Sequence, residues 1–157
     1  MKLVHVLVVS LAAALAASAI AQDKGSTNMQ ILREKIKADK KLVVAKNMEL
    51  SEAEAKGFWP IYEAYQKDLD QLNARIGRAI TAYAEAYRKG PLPNDLAAKL
   101  LDESLAIEEA ETKLKRSYVP KLNKVLSAAK TARYIQIENK IRAVVRVELA
   151  ENIPLVE

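Results

Sequence analysis

Three carboxylates crowd one short stretch, Glu108, Glu109 and Glu111. Inward-facing glutamates of this kind hold di-iron centres in helical bundles, but those sites also take a histidine from an i, i+3 pair. The only histidine is His5, and cysteine is absent. The usual general base, the usual nucleophile and the usual transition-metal ligands are therefore missing together. No glycine-rich phosphate loop or Ser-His-Asp set appears either. The carboxylates are expected on a solvated helix face, and the chain is expected to be no enzyme, with no metal and no cofactor.

Two other groups of residues have chemistry of a softer kind. Phe58, Trp59, Tyr62 and Tyr65 form an aromatic cluster. Aromatics at helical spacing read as core for Phe58, Tyr62 and Tyr65, whereas Trp59 falls off that spacing and is expected to contact a client or partner. Arg33, Lys35, Lys37, Lys40 and Lys41 form a basic run. Residues 22–48 carry seven basic and three acidic side chains, a net of +4, while residues 49–157 hold 17 of each and cancel. The run reads either as a solvated lysine face or as a client surface. Nucleic acid is not expected, given the export signal described next, and the apolar stripe beside the lysines is too thin for a lipid-bound helix.

The elements that place these residues follow from periodicity. Residues 1–21 read as a signal peptide: a basic start, the apolar run "LVHVLVVSLAAALAA", and small residues at Ala19 and Ala21. Cleavage after Ala21 would deliver the chain to the periplasm with no stable membrane insertion; the alternative, an uncleaved anchor, suits the A-x-A site less well. Residues 22–29 form a polar leader, and residues 30–157 are expected to be a single helical domain. A first amphipathic helix is predicted over Met29–Met48, with Leu32, Ile36 and Val43 on its stripe.

A second helix opens at Leu50 and Ser51, with Glu54 completing a capping box. Its apolar positions 58, 62, 65, 69, 72, 76, 79, 83 and 86 alternate steps of four and three, a heptad seam. Ending near Lys89, it would be about 57 Å long. Gly57 and Pro60 interrupt it, read as a kink that relaxes the chain or as a fresh helix start at Pro60. Trp59 is a poor N-cap, which favours the kink. Gly90 closes the helix, Asn94 or Asp95 is expected to cap a third helix over Leu96–Tyr118, and Leu101 and Leu105 widen its apolar face. Pro120 marks its bend or end, and the last helix is expected over Lys121–Ala150. The fold class is all-α, a four-helix antiparallel hairpin-type fold with one long kinked helix.

"LSEAE" at 50–54 and "LSAAKTARY" at 126–134 resemble two degenerate copies of the L-T-x-x-Q helix-start motif of the Spy/CpxP-like periplasmic proteins. "FWPIYEAYQ", "YVPKLNKVLSAAKTARYIQIENK" and "IPLV" extend the likeness to a proteobacterial branch of that family. The resemblance implies a cradle-shaped homodimer that acts as an ATP-independent chaperone for unfolded or partly folded envelope proteins. A second role it implies is that of a regulatory partner of an envelope-stress sensor's periplasmic domain. Leu50, Ser51, Leu126 and Ser127 occupy the motif positions, with Glu54 and Lys130 where the motif has Gln.

Overall fold

Two of the helix starts in this chain are set by serine side-chain oxygens and a third by a proline. The computed structural model describes residues 40–156. The signal peptide, the leader, most of the first helix, and with them Arg33, Lys35 and Lys37, lie outside the described residues. Residues 40–48 are helical (α1) and stop before Glu49, whose φ of 48° is left-handed. Val44 and Met48, one turn apart, have no exposed surface, whereas Val43, expected on the stripe, is half-buried.

Helix α2 spans Glu52–Tyr87 with the capping box expected. The Glu54 N–H donates to Ser51 Oγ at 3.3 Å, and the Ser51 N–H donates to Glu54 Oε2 at 2.9 Å. The helix runs unbroken through Pro60, which excludes a fresh start there and leaves the Lys56 carbonyl without its i+4 donor. Gly57 also has a packing reason to be glycine. A Cβ there would stand 2.7 Å from Val125 Cγ1 and 2.9 Å from Val125 Cβ, so glycine gives room for close approach.

Past Tyr87 the chain turns through Gly90, whose φ of +132° suits glycine. Helix α3 spans Asn94–Leu122, and its N-cap is Pro93. Neither Asn94 nor Asp95 caps it: Pro93 already has the fixed φ and extended ψ of a cap, and its carbonyl accepts from the Leu96 and Ala97 amides. Pro120 lies inside α3 and does not end it. The last helix, α4, spans Ala128–Asn152 and begins well after Lys121. Residues 123–127 are instead a turn, in which Asn123 donates to the Val119 carbonyl and Leu126 to that of Leu122. Ser127 then caps α4, its Oγ accepting from the Lys130 N–H at 3.2 Å.

Cross-helix bonds define the topology. Asp68 with Tyr118 and Arg75 with Glu103 make α2 and α3 an antiparallel hairpin. Glu54 with Lys130, Gln66 with Glu138, and Tyr83 with Pro154 run α4 parallel to α2. Both capped helix starts therefore share one end of the bundle, and the α2–α3 turn lies at the other. The described residues contain no strand, so the fold is all-α. No described helix is long and apolar enough to cross a membrane. By its internal contacts the chain divides between Val43 and Val44, and the bundle belongs to the second unit.

The capped end holds the densest core. Phe58, Tyr65, Leu122 and Tyr134 are fully buried, and Phe58 meets Tyr134 edge-on at 5.1 Å while Tyr65 meets Tyr118 at 5.2 Å. Edge-to-face pairs add about 1 kcal/mol each to the burial of the rings. The seam of α2 is buried only as far as Leu72; Ile76, Ala79, Tyr83 and Ala86 are half-covered.

Candidate functional site

The two motif copies meet in space. Ser51 and Ser127 each cap a helix, and the residues three places on, Glu54 and Lys130, form an ion pair at 2.6 Å. Lys130 Nζ also donates to the Glu49 carbonyl at 3.1 Å. The Lys130 hydrogen bond, followed by that from the Ser51 amide, holds the Glu54 carboxyl below its ordinary value. Lysine at a helix start opposes the dipole, and Glu54 offsets it. Of the motif leucines, Leu126 is buried and Leu50 half-buried.

The aromatic residues divide as expected between core and margin. Phe58, Tyr62 and Tyr65 are buried. Trp59 is half-buried and packs edge-on against Phe58 at 5.1 Å and Tyr62 at 5.4 Å, so it edges the core cluster. Burial in this cluster raises the phenol of Tyr62 to about 12. Lys40 is half-buried and Lys41 exposed.

The carboxylates depart from expectation. Glu108 and Glu109 are exposed, but Glu111 is only 3% exposed. Lys115 Nζ reaches its Oε1 at 2.7 Å, and Arg142 Nε reaches its Oε2 at 2.9 Å. Burial pushes the Glu111 carboxyl up, and the Lys115 and Arg142 bonds outweigh that and hold it below its ordinary value. Arg142 Nη1 donates to Asn73 Oδ1 at 2.7 Å, while its Nη2 is buried with no hydrogen-bond partner. The signal for this burial was spacing: Glu111 lies four residues after Ile107 and seven before Tyr118, both buried. Among the described residues no group of three or more His, Cys, Asp or Glu is placed to hold a metal ion.

Next to this buried pair the three helices part. A groove of about 520 Å³ opens between α2, α3 and α4, walled by Ile76, Ile80, Ile107, Val145, Leu149 and Ile153. A smaller hollow of about 250 Å³ shares Ile80 and Ile153 with it and adds Tyr83, Tyr87 and Pro154. Sequence reasoning missed the groove, because the seam residues that line it have the same spacing as those that are buried. Close by on α3, Leu101 and Leu105 are 60% and 53% exposed and do not widen the covered face. Compared with known proteins, the chain has no significant match to any family model, curated protein or solved structure.

Proposed function

We propose that this is a non-enzymatic, exported helical binding protein that holds unfolded or partly folded envelope proteins without nucleotide, as a homodimer in the periplasm. The observation that carries the reading is the contrast between the two ends of the bundle. The capped end is closed around aromatic rings, whereas at the turn end Leu101 and Leu105 stand one helical turn apart in solvent. Two leucines side by side on a surface lose water when they meet an apolar side chain, at about 25 cal/mol per Å² of apolar area covered. Such contacts are weak and undirected, which suits clients without a fixed shape. The basic run in residues 22–48 adds attraction at longer range. The likeness of the two helix-start motifs to those of the Spy/CpxP-like proteins supports the same assignment.

The test is the delay of aggregation of several unrelated, chemically unfolded proteins at equimolar dimer. The chain should delay most of them, and Leu101→Ser with Leu105→Ser should lose that effect while keeping its helical circular dichroism. Activity against none of them, with tight binding to one folded sensor domain, would move the assignment to a regulatory partner.

A further inference from the structure

The groove changes character along its length. At one end stand Asn73, Glu108, Glu111, Arg142 and Arg146; beyond them the walls are aliphatic apart from Ser104, and the adjoining hollow ends at the stacked rings of Tyr83 and Tyr87. The Tyr83 hydroxyl already donates to the Pro154 carbonyl at 2.9 Å. We propose that this groove binds a single acyl chain with an anionic head, the head beside Arg146 and the chain running towards Tyr83. This goes beyond the holding of unfolded proteins and does not rest on it.

Charge decides the head. The polar end and its direct ion partners hold three cations, Lys115, Arg142 and Arg146, against two carboxylates, Glu108 and Glu111. Glu111 is committed to Lys115 and Arg142. Arg146 Nη2 stands 3.6 Å from Glu111 and 4.0 Å from Glu108, beyond hydrogen-bond length, and its side chain is 57% exposed. Its guanidinium therefore retains donors for an incoming carboxylate or phosphate, which it would hold with two parallel bonds.

The walls decide the tail. An extended peptide would bring an N–H and a carbonyl per residue against Ile80, Leu149 and Ile153, where nothing pairs with them, and unpaired amides are costly. A hydrocarbon chain brings neither. Along α2, Asn73 to Tyr83 spans roughly 15 Å, room for a medium-length chain, and the volume falls within the usual range of about 300–1,000 Å³ for ligand sites. Arg88 lines the outer hollow but turns its Nε to the Ala84 carbonyl at 3.2 Å.

Calorimetric titration of the purified chain with dodecanoate, dodecyl phosphate and dodecyltrimethylammonium, all below micelle formation, tests the head. Both anions should bind and the cation should bind at least about tenfold more weakly; the tighter anion tells a free fatty acid from a phosphate-headed lipid. Arg146→Glu should weaken the anions at least about tenfold, since it removes the two charge-assisted bonds and sets a like charge beside the head. Orientation is read separately in Tyr83→Trp. Dodecanoate brominated at its terminal carbon should quench that tryptophan more than dodecanoate brominated beside the carboxylate. The native Trp59, roughly 36 Å away along α2, should be unaffected in the wild-type chain. No binding of either anion, equal binding of the cation, stronger quenching by the carboxylate-side bromine, or equal quenching of Trp59 would each overturn the proposal.

Discussion

A methyl group at position 57 has nowhere to go, because Val125 already stands 2.7 Å from where its carbon would be. In an isolated helix Gly57→Ala would stabilise by about 1 kcal/mol. Here the collision should win, and a net loss of about 1–2 kcal/mol is expected in urea denaturation. Val125→Ala should restore most of that loss in the double variant, because it removes the atoms in the way. Glu111 behaves in the opposite sense, since what surrounds it is attraction. Its folded carboxyl lies below its ordinary value, so the stability it contributes is present above the unfolded value of about 4.3 and is lost as pH falls through the folded value. Glu111→Gln should flatten that acid limb. At neutral pH it should also cost about 3 kcal/mol or more, because Arg142 is left buried beside a neutral group. Thermal melts of both chains from neutral to acid pH check the two expectations together. Neither residue's role was legible in the sequence: glycine does not say what crowds it, and a glutamate at core spacing does not name the arginine 31 positions away that pairs with it.

At the scale of the helices, the two serine caps and the ends of α2 and α4 were legible, whereas the Pro93 cap of α3 and the turn that delays α4 past Lys121 were not. Ser51 and Ser127 each precede a helix at the capping distance, and that local chemistry needs no knowledge of the fold. Pro120, expected to mark a bend or end, lies two residues before the α3 terminus: a proline in the last turn removes one hydrogen bond without stopping the helix, and the turn at 123–127 follows. The two starts are also coupled. Ser127→Ala should cost about 1 kcal/mol, as any cap does. Glu54→Gln and Lys130→Gln should each weaken the bundle by less than their shared pair suggests when combined, since either one alone already breaks the 2.6 Å contact. A double-mutant cycle in urea that gave strict additivity would show the two helix starts to be independent. Pro60 is the remaining oddity, an exposed ring inside an unbroken helix. Pro60→Ala supplies the missing donor for Lys56 and sacrifices no buried contact. Against the roughly 3 kcal/mol an interior proline costs stands about 1 kcal/mol of added freedom in the unfolded chain. The midpoint of thermal unfolding should rise.

For the molecule as a whole, the all-α class was legible because helical spacing recurs through every segment and no stretch alternates with period two. What escaped was the difference between the two ends of one seam, since Leu69 and Ile76 obey the same rule and only packing by α3 and α4 separates them. Charge is the property that belongs to no single element. Residues 49–157 are neutral and residues 22–48 carry +4, so electrostatic capture of the proposed clients would depend on that basic segment. Attraction between exposed charges is screened over about 8 Å at physiological salt, and capture should slow as salt rises while apolar contacts at Leu101 and Leu105 persist. Changing Lys35, Lys37, Lys40 and Lys41 together to Glu converts seven basic and three acidic side chains into three and seven, moving the segment from +4 to −4. Lys41 is exposed and Lys40 half-buried; exposed substitutions shift stability by about 0.5 kcal/mol or less each, and Val44 and Met48, the buried pair of α1, are untouched. The variant should therefore keep the helical circular dichroism and the sedimentation of the wild-type chain. It should delay the aggregation of an acidic client less well than the wild-type chain, with most of the loss in the association rate. The difference should shrink towards zero in high salt. A reversed variant that matches the wild type at low salt would reduce the lysines to a solvated face and leave the apolar surface of the bundle as the sole means of capture.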